Sequence, residues 1–260
     1  MALSKTQIKK YKVVHLSKGR KETGLFLIEG PELIKEALRE NWPLLEAALT
    51  HSFSESESGQ QLASQLELGQ VPHEVCSATD MERITDARSP QGAAAIGVMD
   101  ASHLQRFADQ EKEMIVVCEQ VSDPGNLGTI IRTADWFGIR RLYIGVGSAD
   151  PFSPKVVRAT AGAIFRVAVV TLTDITGFLT IETENGRQMV AGVMSGSMNV
   201  DDLPRAGLRG LVLGHETRGL SPEVESACSG SVRIERYGNT ESLNLSVAAG
   251  ILMHAMSGKQ

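Results

Sequence analysis

Asn239-Thr240-Glu241-Ser242-Leu243-Asn244-Leu245-Ser246-Val247-Ala248-Ala249 sets a dense polar cluster directly before an apolar run that continues to Met256. A boundary of this kind predicts a helix start, with Thr240 or Ser242 near the N-cap and the unpaired N–H groups of the first turn facing a site. Capped helices are common, so the stretch gains weight only from two others. One is Asp123-Pro124-Gly125-Asn126-Leu127-Gly128-Thr129-Ile130-Ile131-Arg132-Thr133-Ala134. The other is Leu211-Val212-Leu213-Gly214-His215-Glu216-Thr217-Arg218-Gly219-Leu220-Ser221. In each, an apolar strand-like run breaks into a Gly-containing polar loop.

Around these segments the pattern is regular. Met114–Val121, Arg141–Val146, Phe165–Thr171, Gln188–Ser195, Gly210–Gly214 and Ser231–Ile234 read as strands. Helical patterns cover Leu127–Phe137, Pro154–Ala161, Thr173–Glu184, Pro222–Ala227 and Ser242–Met256. Apolar strands alternating with helices predict a parallel sheet covered on both faces. Residues 22–100 read as a smaller α/β unit. Its strand Gly24–Gly30 runs into a helix opened by Pro31, with Leu33, Ile34, Ala37 and Leu38 at helical spacing. A strand at Leu45–Thr50, a Ser/Glu/Gln-rich loop or helix start over Ser52–Gln61, a capped helix Ser77–Thr85 and a strand Gln91–Met99 complete it. Ala101–Glu113 is polar and charged and reads as a linker. The expected organisation is a basic N-terminal arm (1–21), a small α/β domain (22–105) and a larger α/β domain (113–260).

The 260 residues are 42% hydrophobic, enough for a sizeable core without metals or disulfides. Cys76, Cys118 and Cys228 lie far apart and form no CxxC pair, which argues against a zinc site or a disulfide framework and fits a reducing compartment. No signal-like h-region or membrane-length apolar run is present, so the expectation is a cytoplasmic protein without metal or membrane partners. The net charge of −5 does not advertise a nucleic-acid partner, but its distribution does. Residues 1–21 hold seven of the 26 Lys and Arg and no carboxylate, leaving 19 basic against 31 acidic residues elsewhere. A local basic patch suffices for phosphate contacts. Lys9, Lys10, Lys12, Arg20 and Lys21 are the RNA-binding candidates this suggests.

In their order and spacing the three segments resemble the motifs of the SpoU (TrmH-type) family of RNA ribose 2′-O-methyltransferases. Phe26-Leu27-Ile28-Glu29-Gly30-Pro31 and Ser89-Pro90-Gln91-Gly92 are similar to phrases of the small substrate-binding domain that precedes the catalytic domain in many members. The resemblance implies a SPOUT fold, in which the C-terminal stretch of a parallel sheet threads a loop to give a deep trefoil knot. It also implies a homodimer formed through that domain, S-adenosyl-L-methionine as cofactor and RNA as substrate, with ribosomal RNA of the large subunit favoured over tRNA.

By residue, the resemblance makes Arg132 the main catalytic group. A guanidinium does not deprotonate in proteins, so its work is electrostatic, on a phosphate or a developing 2′-alkoxide. Asn126, which is a good N-cap residue, would help orient it, and Glu216, Ser242 and Asn244 would face the reacting centre. Gly214, Gly219, Ile234, Gly238 and Leu243 would form the cofactor pocket. Arg158, in Ser153-Pro154-Lys155-Val156-Val157-Arg158, matches a family phrase and would be a phosphate or structural contact. Two positions depart from the pattern: His215, where Asn or Ser is usual, and Glu235-Arg236, where Pro-Met is usual. Two other readings stand beside this one. A non-catalytic RNA-binding paralogue would explain Glu235-Arg236. A Rossmann-type enzyme built on Gly145-Val146-Gly147 would lack the third glycine and the acidic residue of that fingerprint.

Overall fold

The run Met114–Cys118 has no polar face, and all five of its residues are buried inside a six-stranded sheet. The computed structural model describes residues 3–99 and 114–257. The expected linker at Ala101–Glu113, and the domain limits placed at 105 and 113, fall outside the described residues except for its neighbours on either side. Contacts divide the chain into two units, Met1–Ala101 with Asp150–Phe165, and Ser102–Ala149 with Arg166–Gln260.

The first half runs α1 (Lys5–Val13), α2 (Ser17–Thr23), β1 (Leu25–Glu29), α3 (Pro31–Arg39), β2 (Leu44–Thr50), α4 (His51–Ser54), α5 (Glu57–Leu68), β3 (His73–Cys76), α6 (Ala78–Ile84) and β4 (Ala93–Val98). The second runs β5 (Met114–Cys118), α7 (Pro124–Trp136), β6 (Arg141–Gly145), α8 (Pro154–Ala159), β7 (Ala168–Leu172), α9 (Ile175–Glu184), β8 (Gln188–Gly192), β9 (Arg209–Leu213), α10 (Pro222–Ser226), β10 (Gly230–Val232) and α11 (Leu245–Met256).

In the first unit the sheet order is β1-β4-β2-β3, antiparallel except for the β2–β3 pair. Residues 3–21, read as a basic arm, pack onto this unit. Ile8, Tyr11 and Val14 are buried in one cluster with Leu27, Ala48 and Ile96 of the sheet and Met81 and Ile84 of α6. Ser4 caps α1 in a reciprocal box with Gln7, and Asp80 accepts the Leu3 N–H at 3.2 Å. The polar stretch after β2 is also more ordered than its composition suggests. Ser56 caps α5 by accepting the Gly59 N–H, and Leu62 and Leu66, one turn apart, are fully buried.

Asp150–Phe165 joins this unit although it lies more than fifty residues beyond β4. Phe152 packs on Phe26 with ring centroids 4.9 Å apart, and Phe165 meets Trp42 edge-on at 5.3 Å. Arg158 of α8 pairs with Glu29 at the end of β1 and with Asp86, 2.9 Å away. Glu29 also accepts the Asp86 and Ala87 N–H groups.

The second unit holds six parallel strands in the order β10-β8-β9-β5-β6-β7. Ile115, Val117, Met189, Ala191 and Val212 of three neighbouring strands share one buried cluster with Leu179 of α9 and Val224 of α10. In open parallel sheets ligands bind beyond the carboxyl ends of the strands, where loops meet helix N-termini. The three motifs follow the carboxyl ends of β5, β9 and β10, and β5 and β9 are direct neighbours.

Phe165 is 1% exposed and holds the displaced segment on the first unit. Truncation of a buried aromatic costs ~3–5 kcal/mol, so Phe165→Ala should lower the unfolding free energy measured in urea by an amount of that order. A loss under ~1 kcal/mol in equilibrium unfolding would contradict the packing of this segment.

Candidate functional site

The site is built from loop and cap residues. Asp123, not Asn126, caps α7: its carboxylate accepts the Asn126 N–H at 2.8 Å, and Pro124 takes the first helical position. Pro has no N–H to leave unpaired there and its fixed φ suits a helix start, which places the cap one residue before it. Asn126 therefore sits in the first turn with its carboxamide free to face the neighbouring loops. The final helix also starts later than its polar cluster suggests. Asn244 is the cap, with Oδ1 accepting the N–H groups of Ser246 at 2.9 Å and Val247 at 3.4 Å. Thr240 and Ser242 lie upstream in an exposed, irregular stretch.

These two carboxamides join the three motifs. Asn244 Nδ2 donates to Asn126 Oδ1 at 3.0 Å, and Asn126 Nδ2 donates to Glu216 Oε1 at 3.3 Å. The polarity of the chain has one source. The α11 N–H groups require the oxygen of Asn244, which turns its NH₂ toward Asn126. Asn126 then presents its oxygen to Asn244 and its NH₂ to a carboxylate that can only accept.

Glu216 is further held by the Asp123 N–H at 3.2 Å and the Ser122 hydroxyl at 3.4 Å. Burial pushes its carboxyl up. Hydrogen bonds from its own N–H, the Asp123 N–H and the Asn126 amide outweigh that and hold it below the usual carboxylate range, with a smaller pull from His215 when charged. The folded state thus binds this proton less readily than the unfolded chain. The associated stability is present above ~4.3, the unperturbed Glu value, and is lost as pH falls through the lower folded value.

The loop that carries Glu216 is tightly closed. His215 and Gly219 exchange backbone hydrogen bonds at 2.9 and 3.0 Å. A Cβ on Gly214 would stand 2.2 Å from the Gly219 carbonyl carbon, and Gly219 itself has φ +68°. Both positions demand glycine, one for close approach and one for conformation. His215 Nδ1 accepts the Thr217 N–H at 3.1 Å, so the departure at this position stitches the loop. Glu119, just beyond β5, accepts the Ser221 N–H at 2.8 Å and ties the loop to the neighbouring strand end.

The remaining expected residues are placed differently. Arg132 is exposed, about a turn and a half beyond Asn126 on α7, and makes no hydrogen bond to the amide chain. Ser242 and Gly238 are exposed, Ile234 is half-buried, and Leu243 is 48% exposed. Ile234 and Leu243 offer apolar side chains of the kind a flat adenosine packs on, whereas the Cα of Gly214 is closed off by Gly219 and Leu220 of its own loop. Glu235 and Arg236 are both exposed, and Arg236 donates to the Thr240 carbonyl at 3.4 Å, folding the loop on itself.

Three of the RNA candidates are committed elsewhere. Arg20 is 3% exposed and bonds Asp150, with Nη2 at 2.5 Å, and the Val14 and His15 carbonyls at 2.8 Å. A charge anchored in this way inside the first unit is unavailable to phosphate. Lys10 is paired with Glu46 at 2.5 Å, and Arg158 with Glu29 and Asp86. Lys9, Lys12 and Lys21 are exposed. Ser122, Asp123 and Glu119 were not singled out by the sequence. The Asp-Pro pair signals a helix start for Asp123, but nothing local marks Ser122 or Glu119 as partners of a loop about a hundred residues away.

Burial pushes the thiols of Cys76, Cys118 and Cys228 up to about 11, 12 and 12, and none is suited to nucleophilic work near neutrality. Among the described residues no group of three or more His, Cys, Asp or Glu could hold a metal ion, and no helix is long and apolar enough to cross a membrane.

Residues 113–254 match the SpoU rRNA Methylase family, and residues 5–95 match the MRM3-like substrate binding domain. The 23S rRNA (guanosine(2553)-2′-O)-methyltransferase RlmP of Bacillus subtilis is 29% identical over 97% of this chain and 96% of its own length. An uncharacterized tRNA/rRNA methyltransferase of Mycolicibacterium smegmatis is 31% identical over 90% of this chain and 77% of its own. The crystal structure of an AdoMet-bound rRNA methyltransferase from Sinorhizobium meliloti superimposes with a TM-score of 0.84 at 29% identity, covering 98% of this chain and 95% of that one.

The amide chain has a direct readout. Asn126→Ala removes one of the hydrogen bonds that hold the Glu216 carboxyl down, so the pKa of Glu216, followed by NMR of its side-chain carbon, should rise. An unchanged or lower value would contradict the role of Asn126 as donor to that carboxylate.

Proposed function

We propose, from the premise that this chain belongs to the SpoU rRNA Methylase family, that it transfers a methyl group from S-adenosylmethionine to a ribose 2′-hydroxyl of large-subunit ribosomal RNA. The observation that carries this reading is the double bridge of Asn126, which joins the loops after β5 and β9 to the cap of α11. The substrate class is supported by the name of the Bacillus subtilis relative and by its nearly full mutual coverage.

The cofactor supplies a methyl group already electrophilic on its sulfonium. The chain must orient the hydroxyl and ease loss of its proton. Arg132, exposed and free of the amide chain, is the cation assigned here to an RNA phosphate or a developing alkoxide. Glu216 is a poor base, because donors occupy its oxygens and keep it ionised below the usual range. Its role in this proposal is positioning: it fixes Asn126, and through it Asn244. Ser242, exposed two residues before the cap, completes the set facing the reacting centre. Gly214, Gly219, Ile234, Gly238 and Leu243 hold the cofactor.

The proposal includes the knotted topology of the family. The loop after β8 supports it by lying against the chain that leaves β10. Met198 donates to Ser231 and accepts from Arg233, and a Cβ on Gly196 would stand 2.2 Å from the Val232 carbonyl carbon. It also includes a homodimer. Trp136 is 84% exposed on α7, and Val247 and Ile251, one turn apart on the packed neighbour α11, are 51% and 37% exposed. Exposed apolar side chains on two packed helices fit a second copy. A cytoplasmic location is supported by three free cysteines.

Incubation with labelled S-adenosylmethionine and ribosomal RNA from cells lacking the protein tests the activity, with the modified nucleotide mapped afterwards. Arg132→Ala should lower turnover by ~10²–10³ while leaving cofactor affinity within a few-fold of wild type. Turnover near the wild-type rate would remove Arg132 from the mechanism. In light scattering the wild type should have twice the 28.0 kDa mass of one chain. Trp136→Glu should shift it toward the single chain, and an unchanged dimer would place the interface elsewhere.

A further inference from the structure

We infer that the groove between α1 and α6 is a contact surface for the phosphate backbone of the RNA substrate, with Lys5, Lys9, Lys12 and Arg83 as its cations. This rests on the reading of the chain as an RNA methyltransferase and adds the place where the first unit grips the RNA.

The groove has a volume of about 400 Å³, and the residues lining it include these four cations and no carboxylate. In a chain of net charge −5 that is a local inversion of sign. Lys5, Lys9 and Lys12 fall at i, i+4 and i+7, so they share one face of α1 and rise ~6 and ~4.5 Å apart along its axis. All three are exposed and none takes part in an ion pair among the described residues. Arg83 faces them from α6, half exposed and 3.4 Å from Asp80.

The opposite face of α1 makes the row rigid. Tyr11 and Val14 are buried against the sheet and α6, the Leu3 N–H is held by Asp80, and the His15 ring bonds the Ile84 carbonyl at 2.9 Å. The cations therefore stand on a fixed surface, and binding does not have to order a flexible arm. Between them the floor is aliphatic, from Ile8, Val13 and Leu16. No aromatic side chain lines the groove, so it offers no stacking platform for base readout. Phosphate contacts without base contacts position a nucleic acid and supply sequence-independent affinity. The region of the chain that matches a substrate-binding domain, residues 5–95, contains every cation named.

The assignment differs from one drawn from charge density in residues 1–21. It adds Lys5 and Arg83, whose pairing with Asp80 is long at 3.4 Å and leaves it half exposed, and drops Lys10, paired with Glu46 at 2.5 Å. It also separates the groove from Lys21, exposed but not lining it.

The test measures affinity of the full chain for poly(U), for total large-subunit ribosomal RNA and for anionic phospholipid vesicles as a function of salt. S-adenosylmethionine binding and methyl transfer are followed in parallel. Each lost phosphate contact lowers the slope of log K against log salt by roughly 0.7–0.9, so Lys5→Gln/Lys9→Gln/Lys12→Gln/Arg83→Gln should lower it by about 3, and Arg83→Gln alone by about one contact. Both RNAs should be affected alike. Lys10→Gln and Lys21→Gln, which change the net charge as Arg83→Gln does, should leave the slope at the wild-type value. Cofactor affinity should be unchanged in every variant. A wild-type slope in the quadruple variant, or an equal loss in Lys21→Gln, would overturn the groove. So would retained RNA binding with lost binding to anionic phospholipid vesicles, which would make it a membrane surface. If thermal melting shows the quadruple variant unfolded, Lys9→Gln and Arg83→Gln carry the decision singly. A wild-type protein that binds RNA with this slope pattern yet transfers no methyl group would refute the activity and leave the groove standing.

Discussion

The hydrogen bond from Asn126 to Glu216, with its continuation to Asn244, is the interaction on which the candidate site depends. It ties together residues 90 and 118 positions apart in sequence, and it does so with a direction. Two N–H groups at the start of the last helix set the orientation of one carboxamide. That sets the next, and the second meets an ionised acceptor. Reversing either amide would oppose two oxygens or two NH₂ groups. A partly buried network of this kind is specific because each member is satisfied in only one arrangement. The amide chain thereby fixes where the loops after β5 and β9 meet the cap of α11.

The same logic explains why Glu216 is better read as a fixed post than as a proton acceptor. A carboxylate that must take a proton near neutrality needs a raised pKa and a free oxygen. Glu216 has the reverse, with donors from Ser122, Asp123 and Asn126. Arg132, by contrast, is tied to none of these and is exposed beside the site on the same helix. The rigid parts of the site are thus the parts that position, and the unconstrained cation is the part that can reach a substrate.

Charge in this protein sorts by its partners more than by its density. Arg20 and Arg158 both fall in segments rich in basic residues or familiar phrases, and both are spent on holding the first unit together through Asp150, Glu29 and Asp86. Breaking such buried pairs leaves an uncompensated charge, which is costly. These arginines also explain how Asp150–Phe165, remote in sequence, is retained in the first unit alongside the Phe152 and Phe165 ring contacts.

The sequence by itself determined most of the element pattern of the larger unit and the identity of the family. A short, β-branched apolar run such as Met114–Cys118 reads as a buried strand from its length and composition, and the Pro31 and Ser77 helix starts are local chemistry, readable without neighbours. The three motif segments were legible because each concentrates glycine, amide and carboxylate residues at a strand end. Cap positions were less so: Asp123 and Asn244 take the caps that Asn126 and Ser242 could equally have filled, since several adjacent residues can cap a helix and packing selects among them. The helix over Glu57–Leu68 was obscured by its polar composition, its two buried leucines being too few to announce a period. Only the tertiary structure decided which charges are free, which amide faces which, and that residues 150–165 belong with the first unit. Those outcomes depend on contacts between residues tens to more than a hundred positions apart, and burial, ion pairing and hydrogen-bond polarity exist only once such residues have been brought together.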